Sequence, residues 1–160
     1  MTTKSDFSEE DWARIVRGPF VAGLAISLAD PGGPIEATKE TMATMKTATN
    51  PPSREQLLAE VALEVQAMAQ ERKHPLQGYT PHKEGGAAGS QVLQELREVQ
   101  GLVAATATTE ETTAFAAWLV ASAQAAAEAA KEGGFMGFRA QQVSAGEQAV
   151  LDQVREAVST

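Results

Sequence analysis

Carboxylates spaced four residues apart are the first groups in this chain whose type and spacing could do chemistry. Glu36/Glu40, Glu60/Glu64 and Glu128/Glu132 each stand at i, i+4. On a helix that spacing puts both acids on one face, where they repel unless something positive sits between them. A hard cation such as calcium or magnesium would serve, through oxygen ligands. So would water or a neighbouring lysine, and Lys39 and Lys131 lie close in sequence. The solvated face is the plainer reading of each pair. The two histidines, His74 and His82, fall in one proline- and glycine-rich stretch. Neither sits in the Glu-x-x-His pattern of helical di-iron sites, and a solvated loop accounts for both.

Other chemistries lack their residues. There is no cysteine, which removes disulfides, thiolate catalysis and cysteine-ligated zinc. No Gly-x-Ser-x-Gly elbow supports a serine nucleophile. The Gly85-Gly86 and Gly133-Gly134 pairs lack the strand and the Lys-Ser/Thr of a phosphate loop. One apolar motif stands out. Gly133–Phe138 interleaves three glycines with Phe135, Met136 and Phe138, and large apolar side chains in a glycine loop need cover. They either plug the end of the fold or form a partner-binding lip.

The elements that must position these groups are helices. Aromatics make up 5% of the chain and alanine carries much of the apolar content; alanine is the strongest helix former but fills little core volume. Ser8-Glu9-Glu10-Asp11 reads as an N-cap followed by acids that suit the positive end of a helix. Gly18-Pro19 predicts a break, with one helix ending near Arg17 and another running from Pro19 to Leu28. After the turn Asp30–Gly33, Pro34 opens a helix whose apolar face is read from Ile35, Thr38, Met42 and Met45. Asn50-Pro51-Pro52 stops it. Ser53 and Gln56 read as a capping box ahead of a stripe of Leu57, Leu58, Val61, Val65, Met68 and Ala69.

Residues 73–89 (KHPLQGYTPHKEGGAAG) form a connector longer than structureless loops usually are. Helix resumes near Gln91 with Val92, Leu93, Leu96, Val99 and Val103. A second box, Thr108 with Glu111, starts an alanine-rich helix to about Lys131 that carries Phe115, Trp118 and Leu119. A third, Ser144 with Glu147, precedes Val150, Leu151, Val154 and Val158. No strand alternation emerges. The expectation is an all-α bundle of about seven antiparallel helices, one domain over 1–160 with helical halves 8–72 and 90–158.

The net charge is −8. It divides evenly, with 11 acids against 7 bases in residues 1–72 and 10 against 6 in residues 73–160. Such a surface repels polyanions, so neither nucleic acid nor an anionic membrane is an expected partner. The polar start Met1–Asp6 lacks the apolar core of a secretory leader. No stretch reaches the ~18 apolar residues of a membrane span. A cytoplasmic location is expected.

Two alanine-rich helix, acid-glycine turn, capped helix units resemble the TerB-like (tellurite-resistance) helical family. Asp30, Gly32, Ile35 and Glu36 carry the likeness in the first, and Gly133, Ser144 and Glu147 in the second. Pro31 in the first turn and Lys131 ahead of the second depart from the pattern. The segment from Glu128 to Glu147 also resembles uncharacterised bacterial helical proteins. The leading expectation is a non-catalytic interaction or stress-related module without a cofactor, binding a protein partner or pairing with itself as a homodimer through Phe135, Met136 and Phe138. The alternative is a helical bundle that binds a divalent metal such as calcium or magnesium through Asp30, Glu36, Glu128, Glu132 and Glu147.

Overall fold

In the computed structural model, which describes residues 1–29, 34–79, 88–132 and 145–159, the Ser8 hydroxyl starts the first long helix. Its Oγ accepts the Asp11 N–H (3.1 Å), satisfying one of the amide donors that every helix start leaves open. Helix α1 then runs over Glu9–Ala29. It is followed by α2 (Pro34–Thr49), α3 (Gln56–Gln70), α4 (Ala88–Thr106), α5 (Thr109–Glu132) and α6 (Ala145–Val158). A short 3-10 turn, Lys4–Asp6, precedes them. The described residues are all-α, with six helices and no strand, and no helix among them is long and apolar enough to cross a membrane.

The expected break at Gly18-Pro19 does not occur, so α1 is one helix where two were predicted. Proline inside a helix loses a backbone hydrogen bond and costs about 3 kcal/mol. Buried Trp12, Ile15 and Val16 before it, and Phe20, Val21 and Ile26 after it, hold the two halves in register. Each large apolar side chain contributes roughly 1.5–3 kcal/mol, and together they outweigh the proline. Gly18 has a packing role instead. A Cβ there would stand 3.1 Å from Leu119 Cδ2 and 3.3 Å from Phe115 Cζ, so its absence lets α5 lie close.

Helices α1 and α5 form the centre, and each packs against all the other helices. Helices from before and after the 73–89 connector therefore share one core. The buried face of α5 carries Phe115, Trp118, Leu119, Ala123, Ala126 and Ala127. Trp118 donates its Nε1–H to the Thr47 carbonyl (2.8 Å) at the end of α2, which also accepts the Asn50 N–H (3.2 Å). Arg14 clamps α1 to α4 through a bidentate pair with Glu95 (3.0 and 2.8 Å), and its Nη2 also reaches Glu98. These partners hold its guanidinium well above the usual arginine range.

Helix α2 buries a face that matches the predicted one only in part: Met45 packs against the core as expected, and the Ile35 side chain lies outside the description. Glu40, Thr44 and Ala48 face inward, whereas Thr38 is exposed and Met42 is 67% exposed. The cause is Gly23 on α1. A Cβ there would meet Thr44 Oγ1 at 2.5 Å, so only small side chains fit this crossing.

Helix α3 also starts differently. The Ser53 hydroxyl takes the Glu55 N–H (3.1 Å), and Gln56 reaches forward to Glu60 (3.1 Å), so the predicted box does not close. The donor at the α3 start goes instead to Glu111 of α5, which accepts the Leu57 N–H at 3.4 Å. The Thr108–Glu111 box forms as predicted, with reciprocal bonds of 3.1 and 3.2 Å. Glu111 additionally takes the Thr2 N–H (2.8 Å) and the Thr2 hydroxyl. Burial opposes the charge on this carboxylate. Bonds from the Thr2 side chain and from the backbone of Thr2, Thr108 and Leu57 more than offset that cost and bring its pKa down to about 2.

Two stability measurements check this packing. Replacing Glu111 with Gln leaves one acceptor oxygen where two served, and puts an amide donor among donors. The expected loss is about 2–3 kcal/mol in urea unfolding at neutral pH. Because the folded pKa lies below the ordinary 4.5, the wild type should lose this advantage as pH falls from 4.5 towards 2. An unchanged midpoint in the variant would refute the role. Gly23→Ala should cost about 1–3 kcal/mol by overpacking. Adding Thr44→Ala should return part of that loss; strict additivity of the two changes would contradict the close contact.

Candidate functional site

The sequence continues past α3 as Glu71-Arg72-Lys73-His74-Pro75-Leu76-Gln77-Gly78-Tyr79, and the first half of the predicted connector folds into tight turns. The Lys73 N–H bonds back to the Met68 carbonyl (2.8 Å), closing the helix end. Gln77 N–H reaches His74 O (2.9 Å) and Tyr79 N–H reaches Leu76 O (2.9 Å). Gly78 adopts φ +83°, and Arg72 takes φ +59°, a left-handed backbone that non-glycine residues adopt mainly in turns.

This turn segment roofs a cleft of about 440 Å³ between α1 and α3, a volume within the range of ligand pockets. Its apolar surface comes from Trp12, Ala13, Val16 and Met68, and its polar surface includes Lys4, Glu9, Arg17, Glu64, Glu71 and Lys73. The N-terminal segment supplies one wall. Lys4 donates its backbone N–H to Glu60 (2.8 Å) and its ammonium to Glu64 (2.9 Å). Lys4 thus meets both acids of the Glu60/Glu64 pair, Glu60 through its backbone amide and Glu64 through its charge. Phe7 packs on Trp12, with ring centroids 6.0 Å apart. Lys73 pairs with Glu71 across 2.9 Å.

Arg17 is held differently. Its Nε donates to the Pro75 carbonyl (3.2 Å), and its guanidinium carbon lies 5.1 Å from the centre of the Tyr79 ring. His74 sits between this cleft and a smaller cavity of about 70 Å³ that is also lined by Phe20, Ser27, Glu40, Thr41 and Thr44. The imidazole meets the Phe20 ring edge-on at 4.9 Å. Its Nδ1 accepts the Leu76 N–H (3.1 Å), which places the proton of the neutral ring on Nε2. Nε2 is buried with no hydrogen-bond partner among the described residues. Burial pushes the His74 pKa below 6.5. The solvated-loop reading thus fails for His74, while His82 lies outside the described residues.

Of the residues singled out for metal binding, Asp30 lies outside the described residues. Glu36 and Glu132 belong to α2 and α5, but their side chains are likewise outside the description. Glu128 is exposed and accepts a bond from Gln124 (3.2 Å). Glu147 is buried in the first turn of α6. Glu40 is buried and takes the Ser27 hydroxyl. Among the described residues no group of three or more His, Cys, Asp or Glu side chains is placed to hold a metal ion. Phe135, Met136 and Phe138, and the turn residues Gly32, Gly133 and Ser144, also lie outside the description.

Sequence reasoning missed the cleft. No local pattern marks Trp12 or Val16 as lining a cleft, and Arg17 is read from the sequence only as the end of a helix. The Lys4 contacts span 56 and 60 residues, which no local pattern reveals. The fold is an all-helical bundle, and its candidate site is a mixed-charge cleft with an aromatic floor. No protein-family model, curated protein or solved structure matches the chain.

His74 generates a pH prediction. A histidine with a lowered folded pKa stabilises the fold at pH values above its ordinary 6.5, and that contribution is lost as pH falls through the folded value. The wild type should therefore lose stability relative to His74→Gln on going from neutral to mildly acidic pH in paired thermal melts. Parallel curves for the two proteins would refute the assignment.

Proposed function

We propose that the protein is a non-catalytic interaction module that docks an extended segment of a protein partner in the cleft between α1, α3 and residues 71–79. The observation that carries this reading is the floor of Trp12, Val16 and Met68 within a rim of both charges. An apolar, aromatic-containing centre inside a polar rim is the usual anatomy of a protein contact. The perturbed acids support the non-catalytic part. Glu111 is consumed by backbone and threonine donors, and Glu98 by Gln94 on its own helix and by Arg14 of α1. Their shifts arise from contacts within and between helices.

Ala13 is exposed and lines the cleft, so Ala13→Trp should fill it without disturbing the core. Selection of displayed peptide libraries on the wild type should enrich a consistent sequence class, with binding reduced at least about tenfold on Ala13→Trp, the scale of losing one anchoring contact. Absence of enrichment, or equal binding by the variant, would overturn the proposal.

A further inference from the structure

The cleft holds one cation that the described residues leave without a carboxylate. Lys4 is paired with Glu64 and Lys73 with Glu71, whereas Arg17 makes no ion pair among the described residues. Instead the Pro75 carbonyl and the Tyr79 ring fix the plane of its guanidinium. One of its five N–H donors is used in this way, and the terminal nitrogens keep theirs. A planar guanidinium held from one edge is already oriented for bidentate capture of a carboxylate on the other. The apolar floor of Trp12, Val16 and Met68 belongs to the same cleft.

We infer that the cleft recognises a carboxylate carried on an apolar body, and that its source is the free C-terminus of a peptide with a large apolar last residue. This inference rests on the interaction reading above and names the partner segment. Arg17 takes the terminal carboxylate while the last side chain lies on the Trp12 and Met68 floor. Glu9 lines the same cleft eight residues earlier on α1, about 12 Å away at the helical rise. It suits a peptide N–H or a basic side chain upstream. The acidity of the whole chain does not prevent this. Exposed charges more than about 8 Å away are largely screened at physiological salt, and Glu64 and Glu71 are already matched by lysines.

Fluorescein-labelled hexapeptides of glycine and serine, ending in Leu, Phe, Ile or Trp, test this by polarisation. Each is compared with its C-terminal amide and with an Asp-ended control. On the wild type, amidation should weaken binding at least about tenfold, the range of a charge-assisted contact, and the Asp-ended peptide should bind poorly. On Arg17→Gln, whose side chain can still donate to Pro75, the free-acid and amide forms should bind alike. Arg17→Lys, which keeps the charge and loses the fork, should fall between. If acid and amide bind the wild type equally, or neither binds, the carboxylate inference is overturned, while library binding lost on Ala13→Trp would still uphold the interaction reading. If octanoate or indole-3-acetate occupies the cleft and the peptides do not compete, the source is a small organic acid and the peptide assignment fails.

Discussion

The Glu111 carboxylate is the constraint on which most of this architecture rests. It is buried, and an unpaired buried carboxylate would be driven to take up a proton. Four donors from three separate parts of the chain prevent that: the Thr108 N–H at the start of α5, the Leu57 N–H at the start of α3, and the N–H and hydroxyl of Thr2. One side chain thereby joins two helix starts, whose amide ends favour negative charge, to the N-terminal segment. The consequence reaches the cleft. With Thr2 anchored, the next residues pass over α3, where Lys4 meets Glu60 and Glu64, and Phe7 comes to lie on Trp12. The cleft wall is thus fixed by a carboxylate that does not itself line the cleft.

The rest of the core follows from small residues at the helix crossings. Gly18 admits Leu119 and Phe115, and Gly23 admits Thr44. Ala22 and Ala25 on α1, and Ala123, Ala126 and Ala127 on α5, are fully or almost fully buried. Small side chains bury little area each, so stability must come from close packing and a few large anchors. Trp118 is the principal one. Its indole is fully buried, and its N–H still finds a carbonyl at the end of α2, as a buried tryptophan should. The scarcity of aromatics visible in the composition is consistent with this arrangement.

What was legible in the sequence divides along sequence distance. The caps at Ser8 and Thr108 were readable because donor and acceptor lie within three residues. The buried stripe of α4, Val92, Leu96, Val99 and Val103, was readable from its period alone. The misreadings share one cause. Ser53 and Gln56 have the letters of a capping box, yet the donor at the start of α3 is taken by a residue 54 positions away. Gly18-Pro19 has the letters of a break, yet buried contacts on both sides carry the helix through. In α2 the apolar letter Met42 suggested a face that is exposed, while Met45 does pack against the core, and the position facing Gly23 is taken by Thr44 on size over hydropathy. In each case tertiary packing overrode a local preference worth only a few kcal/mol.

The same division explains why the cleft and its charge were invisible. The carboxylate pair Glu60/Glu64 invited a cation, and the structure answers with Lys4, far back in the chain, whose ammonium pairs with Glu64 while its backbone N–H meets Glu60. A net charge of −8 argues against anionic partners only when treated as a uniform field. At the scale of a cleft, local pairing decides. Two lysines are cancelled by two glutamates, and the arginine between the turn carbonyl and the tyrosine ring makes no ion pair among the described residues. Its donors are therefore more exposed to a ligand than the overall charge suggests. Selectivity at such a site would come from the fixed plane of one guanidinium beside an apolar floor, which rewards shape and punishes a missing acceptor.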